Sequence, residues 1–192
     1  MSHAFATLAF TPAVREAQAR EGSRASYARA FESAGDITHA DLGPDEAAFI
    51  AAQRSIYLAT VSETGWPYVQ HRGGSPGFLR VLDPHTLSFT DLPGNRQFVS
   101  VGNVAGNDRV ALILVDYTRR QRLKILGRLQ VGEPGPGPRP QRTMTIRVEA
   151  FDWNCPQHIP LRLEAEDVQC ALDERDWRIA QLEAELAQAG LR

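Results

Sequence analysis

The chain has 192 residues, with 21 Lys plus Arg against 23 Asp plus Glu and a formal net charge of −2. That length suits one domain with appendages. The near-neutral balance leaves no polybasic footprint for nucleic acid or an anionic membrane surface, so neither is an expected partner. With 43% apolar and 23% charged residues, the composition excludes a disordered chain and supports a buried core.

Cys155 and Cys170 are too few for a disulfide framework, and no Cys/His spacing suggests a metal site. The longest apolar runs, such as Val110 to Val115, fall far short of the roughly 20 residues of a membrane span. The first residues, Met1-Ser2-His3-Ala4, lack a basic start followed by an apolar stretch, so a secretory signal is not expected. The expected setting is the cytoplasm, with reduced thiols.

In chain order, Pro12 opens a helix running to about Phe31, with a thin apolar stripe interrupted at Gly22. A second helix starts near Pro44 behind acidic residues and buries Phe49 and Ile50. Strands follow at 56–61 and 66–71, joined by the turn Ser62-Glu63-Thr64-Gly65. Two more, at 78–82 and 87–90, flank Asp83-Pro84-His85-Thr86. A short helix is predicted from Asn95 to about Gly102, then strands at 109–115, 123–131 and 143–151. The Pro/Gly-rich segment from Gly132 to Pro140 reads as a connector.

From Glu164 to Ala189 a long amphipathic helix carries Val168, Leu172, Ile179, Leu182 and Leu186, with Arg175 on the same seam. That stripe suits either a partner helix or the body of its own chain. Short strands joined by hairpins point to a mainly β, antiparallel barrel with peripheral helices. The expected divisions are a helical appendage at 1–43, the barrel domain at 44–162 and the C-terminal helix at 163–192.

Four polar clusters could carry chemistry. Gln70-His71-Arg72-Gly73-Gly74 puts an amide, a titratable ring and a cation beside glycines that admit close backbone approach. Asp91-Leu92-Pro93-Gly94-Asn95-Arg96-Gln97 leads into a helix N-terminus, where free N–H groups and a guanidinium favour an anion. Arg119, Arg120, Arg122 and Lys124 form a cationic run whose ordinary meaning is a solvated face. Phe151-Asp152-Trp153-Asn154-Cys155-Pro156-Gln157-His158 has the amide-rich, stiffened character of a binding loop, in which Cys155 is a candidate thiol nucleophile.

Taken in order, Trp66 to Gly74, Gly94 to Gln97, Asn107 to Leu112, Leu123 to Gly127 and Phe151 to His158 resemble the pyridoxamine 5'-phosphate oxidase-like split-barrel flavoproteins, closest to a flavin-nucleotide-binding branch. The likeness covers roughly Pro44 to Arg162. It implies a six-stranded antiparallel split β-barrel and a homodimer with FMN in clefts at the subunit interface. On this resemblance Gln70, His71, Arg72, Gly73 and Gly74 lie along the flavin ring and ribityl chain. Asn95, Arg96 and Gln97 form the phosphate turn, Gln97 standing where the family has lysine, and Asp91, which leads into that turn, is a further cofactor-binding candidate. Arg122 faces the ring and Trp153 reaches the flavin of the opposite subunit, with Asn154 and Gln157, near it in sequence, as further cofactor-binding candidates. Ile159-Pro160-Leu161 replaces the Arg-Leu-His stretch with which the oxidase holds pyridoxamine phosphate.

The leading expectation is an FMN-dependent oxidoreductase acting on an unassigned small molecule, with NADH or NADPH as possible reductant and His71 as proton donor or acceptor. Alternatives are a flavin-binding carrier or sensor without turnover, and a haem-binding barrel.

Overall fold

From Ser55 to Asn154, apolar and polar side chains alternate in run after run, and each run becomes a strand. In the computed structural model, which describes residues 2–32, 37–92, 94–136, 141–154 and 156–190, these are β3 (Ser55–Val61), β4 (Pro67–Gly73), β5 (Arg80–Asp83), β6 (Thr86–Asp91), β7 (Arg109–Asp116), β8 (Gln121–Val131) and β9 (Arg142–Asn154). They form one sheet in the order β4-β3-β7-β8-β9-β6-β5. The pairings of β4 with β3, β3 with β7, β8 with β9, β9 with β6 and β6 with β5 are antiparallel. Among the described residues the sheet therefore holds the seven strands marked out by the residue pattern, where the family resemblance implied a six-stranded barrel.

One face of the sheet builds the core. Leu58, Leu112, Leu123, Ile125, Met144 and Ile146 are buried at alternate positions, and the helix α4 (Pro44–Ala52) adds Phe49 and Ile50 to the same cluster. Full burial of each such side chain stabilises by roughly 1.5–3 kcal/mol. The β8–β9 ladder shifts register between Leu126 and Gly127. A Cβ at Gly127 would lie 2.4 Å from the Arg147 carbonyl oxygen and 2.9 Å from Ile146 Cγ2. The long hairpin can bend there only because position 127 has no side chain.

The expected single helix from Pro12 to Phe31 is two helices, α2 (Pro12–Arg20) and α3 (Arg24–Phe31). Gly22 between them takes the left-handed conformation, φ 77°, which ends a helix at no steric cost. Ahead of them lie β1 (Ser2–His3), paired in parallel with β2 (Ile37–Thr38), and α1 (Ala4–Ala9), which lies along β9. His3 is buried there, its ring stacked on His39 at 4.0 Å and edge-on to Phe31 at 4.7 Å.

The described residues of 1–115 and 122–155 make one compact unit, and those of 116–121 and 156–192 a second. In the second, Arg120 Nε donates to the Ile159 carbonyl (3.0 Å), Thr118 Oγ1 to the Arg162 carbonyl (3.2 Å), and the Arg162 guanidinium lies 4.5 Å from the Tyr117 ring centre. Its long helix is α6 (Ala165–Gln188). Among the described residues no helix is long and apolar enough to cross a membrane.

Candidate functional site

Parity on β4 sends Tyr68, Gln70 and Arg72 to one side of the strand, and all three line a cleft of about 600 Å3 in the first unit. The opposite wall is the turn after β6, with Asp91, Asn95, Arg96 and Gln97, and the first turn of the helix α5 (Val99–Gly106). Arg142, at the start of β9 and opposite Asp91 in register, completes it. Six residues expected to hold a ligand (Gln70, Arg72, Asp91, Asn95, Arg96 and Gln97) thus meet in one cavity.

The turn sets the geometry. Asn95 Oδ1 accepts the Gln97 N–H at 3.1 Å, an Asx-turn. Arg96 (φ 61°) and Phe98 (φ 52°) then adopt the left-handed region, at a cost of about 1–2 kcal/mol per residue for side chains with a Cβ. The helix expected from Asn95 to Gly102 consequently starts at Val99 and runs to Gly106. Its first-turn residues Val99, Ser100 and Val101 line the cleft, and N–H groups at that position have no acceptor inside the helix.

Two hydrogen bonds tie α5 to the sheet. Ser100 Oγ donates to Gln70 Oε1 (3.1 Å) and Asn103 Nδ2 to Thr60 Oγ1 (2.9 Å), with Ser100 and Thr60 both buried.

Among the described residues, three guanidiniums and one carboxylate line this cleft. Arg72 Nη1 donates to Asp91 Oδ1 at 2.5 Å, with side chains only 15% and 12% exposed. Arg72 Nε is also buried and has no hydrogen-bond partner. The Arg142 guanidinium lies 5.2 Å from the Phe98 ring centre. After the Arg72–Asp91 pair cancels, Arg96 and Arg142 leave an excess of positive charge beside a helix N-terminus. An anion with several acceptor oxygens satisfies both charge and donors.

Other candidate residues lie elsewhere. His71 projects from the opposite side of β4, exposed and edge-on to Tyr57 at 5.7 Å. The two glycines serve the chain's own packing. A Cβ at Gly74 would sit 2.7 Å from Phe78 Cβ, and one at Gly73 would sit 3.1 Å from the Arg54 carbonyl. Trp153 Nε1 donates to Glu46 Oε1 (2.7 Å) and its ring packs edge-on to Phe49, while Glu46 Oε2 accepts the Gly43 N–H that begins α4.

Arg122 is half-buried on β8, with a buried Nε that has no partner. The cationic run divides, since Arg119 pairs with Asp116, and Lys124 with Asp152. Gln157 is exposed in a turn of the second unit. Cys155 and the side chain of Asn154 lie outside the described residues. A larger cavity of about 890 Å3 shares Val101 and Arg142 with the cleft, but no other candidate residue lines it, and its Arg128 is held by Asp108 (2.9 Å) and Glu149 (2.6 Å).

The family model of pyridoxamine 5'-phosphate oxidase matches residues 42–143, more than half of the chain. The chain belongs to the pyridoxamine 5'-phosphate oxidase family. The segment matched to that family contains all the cleft residues. Among solved structures, a candidate pyridoxamine 5'-phosphate oxidase from Lactobacillus delbrueckii is 20% identical, over 60% of this chain and 96% of its own, with a TM-score of 0.48. A FAD-binding protein from Mesorhizobium loti is 18% identical, over 58% and 94%, with a TM-score of 0.41. The heme storage protein HutZ from Vibrio cholerae is 14% identical, over 58% and 94%, with a TM-score of 0.39. No curated protein matches the sequence.

Tyr68, Phe98, Ser100 and Arg142 line the cleft without having been singled out in the sequence. Tyr68 had a signal, its parity with Gln70 and Arg72. Arg142 had none, because its place depends on β9 pairing with a strand distant in sequence.

Proposed function

We propose that this chain is a flavoprotein whose cleft takes the phosphate of FMN, and that it works as an oxidoreductase on a small molecule. The observation that carries this is the convergence of Arg72, Arg96 and Arg142 with the α5 N-terminus in a chain of this family. The buried, unpartnered Arg72 Nε is a donor that a phosphate oxygen would satisfy. Arg96 and the first-turn amides of α5 would hold the phosphate, while Gln70, fixed by Ser100, and Tyr68 border the path toward the ribityl chain. FMN when bound supplies hydride or electron transfer, and the protein supplies position and charge.

In the same proposal the sheet closes into the family's split barrel over residues 44–162, two copies share each flavin in the cytoplasm, and Trp153 and Gln157 act at the ring end. Arg122 stands beside the pyrimidine side, where its charge favours the anionic reduced ring. Arg122→Ala is therefore expected to lower the flavin potential, and an unchanged potential removes Arg122 from the site. Ile159-Pro160-Leu161 in place of the oxidase's substrate stretch argues for a substrate other than pyridoxamine phosphate.

One observation favours a second reading, a flavin carrier without turnover. Among the described residues that line the cleft there is no histidine, cysteine or lysine, and the one carboxylate there is bound to Arg72. His71, the expected proton donor, faces away from it. Oxidation of NADH or NADPH by the FMN-loaded protein supports the oxidoreductase, whereas flavin that stays oxidised supports the carrier. For the site itself, Arg96→Ala should weaken FMN binding by about 10–100-fold, the loss of one or two charge-assisted hydrogen bonds. Unaltered affinity would remove the phosphate from this cleft.

A further inference from the structure

The helix α6 carries an apolar stripe that remains open. Val168, Leu172, Ile179, Leu182 and Leu186 are 37–51% exposed. With Arg175 they alternate in steps of four and three, which in heptad lettering puts Leu172, Ile179 and Leu186 at a and Val168, Arg175 and Leu182 at d. A lone helix gains nothing from such a seam in water, because most helical stability in proteins comes from burying the apolar face. We propose that α6 pairs in parallel and in register with α6 of a second copy of this chain, forming a short two-stranded coiled coil.

Charge decides the occupant and its direction. The flanking g positions hold Ala171, Arg178 and Glu185, and the e positions hold Gln169, Asp176 and Glu183. In a parallel pair each g residue meets the e residue five places on, so Arg178 meets Glu183 of the partner subunit twice over the dimer. In an antiparallel pair with Leu172 layered against Leu182, g meets g and e meets e. Arg178 would then face its own copy, and so would Asp176, both repulsive.

Arg175 sits in the seam, where Asp176 already neutralises it at 3.1 Å within the helix. A parallel partner brings a second Asp176 to the same layer. A polar seam residue of this kind costs stability and fixes register. Ile179 at a with Leu182 at d is the arrangement that favours two strands. This pairing does not depend on the cofactor reading, and either can fail alone.

The test is disulfide trapping in the full-length protein, with Cys155→Ser and Cys170→Ser as background. Leu182→Cys, at a seam position, should give a disulfide-linked dimer in a mild thiol–disulfide buffer, whereas Trp177→Cys, on the outer face of the helix, should not. Adding Arg178→Glu to Leu182→Cys should cut the cross-linked fraction about fivefold by replacing two attractions with two repulsions. Adding Glu183→Arg to that variant should restore it, which a folding defect would not do. Equal cross-linking at positions 177 and 182, or insensitivity to the charge reversal, overturns the proposal. So does a cross-link that forms only between Leu172→Cys and Leu182→Cys chains in mixture, or a seam that stays uncross-linked because it packs on its own chain.

Discussion

Arg72 and Asp91 come from strands that are not neighbours in the sheet, and each holds the other in place. Their side chains are largely removed from water, so losing one partner strands the other. Arg72→Ala and Asp91→Ala are each expected to cost about 1–3 kcal/mol in urea unfolding, and the double variant less than their sum. Strict additivity would mean that the pair is not coupled. Gly127→Ala tests a steric demand instead. The new methyl group would press on the Arg147 carbonyl, which is backbone and cannot swing aside, so a loss of about 1–3 kcal/mol is expected. An unchanged urea midpoint would show that the bulge can relax. At this scale the sequence displayed Arg96 and Asn95 clearly, because a turn rich in Pro, Gly and Asn before a helix has a local physical meaning. It did not display what Gly73 and Gly74 are for, since their neighbours Arg54 and Phe78 are identified only by the fold.

Elements with strong alternation were legible nearly to their ends. The seventh strand, expected over 143–151, is β9 (Arg142–Asn154), and α4 begins at Pro44 as its acidic first turn suggested. The start of α5 was misplaced because two non-glycine residues, Arg96 and Phe98, take left-handed conformations that no propensity favours. The β1–β2 bridge was invisible because two-residue strands carry no period. That bridge leads to a pH prediction. Burial and the neighbouring His39 hold the His3 pKa below its ordinary 6.5, while Asp152 at 3.7 Å pulls it upward. The unfolded segment therefore binds a proton more readily than the docked one. The stabilisation is complete above pH 6.5 and is lost as pH falls below it toward the folded value. Amide exchange in α1 should accelerate relative to its intrinsic rate between about pH 7.5 and about pH 5, and His3→Phe should flatten the change. Equal pH dependence in both proteins would rule out His3 as the cause.

Across the whole molecule, the antiparallel, mainly β class follows from short strands and hairpin turns. The order β4-β3-β7-β8-β9-β6-β5 does not, because β6 joining β9 and β3 joining β7 are pairings between segments far apart in the chain. That order brings β4, the turn after β6 and the start of β9 around one helix N-terminus, turning scattered polar residues into a cleft with excess positive charge. The central claim is that this cleft reads a phosphate. It is tested most directly by comparing the affinities of the native protein for FMN and for riboflavin, which differ by that group alone. The account predicts FMN binding tighter by about a hundredfold, with the difference shrinking as salt rises. Equal affinities, or no binding of either flavin, would contradict it.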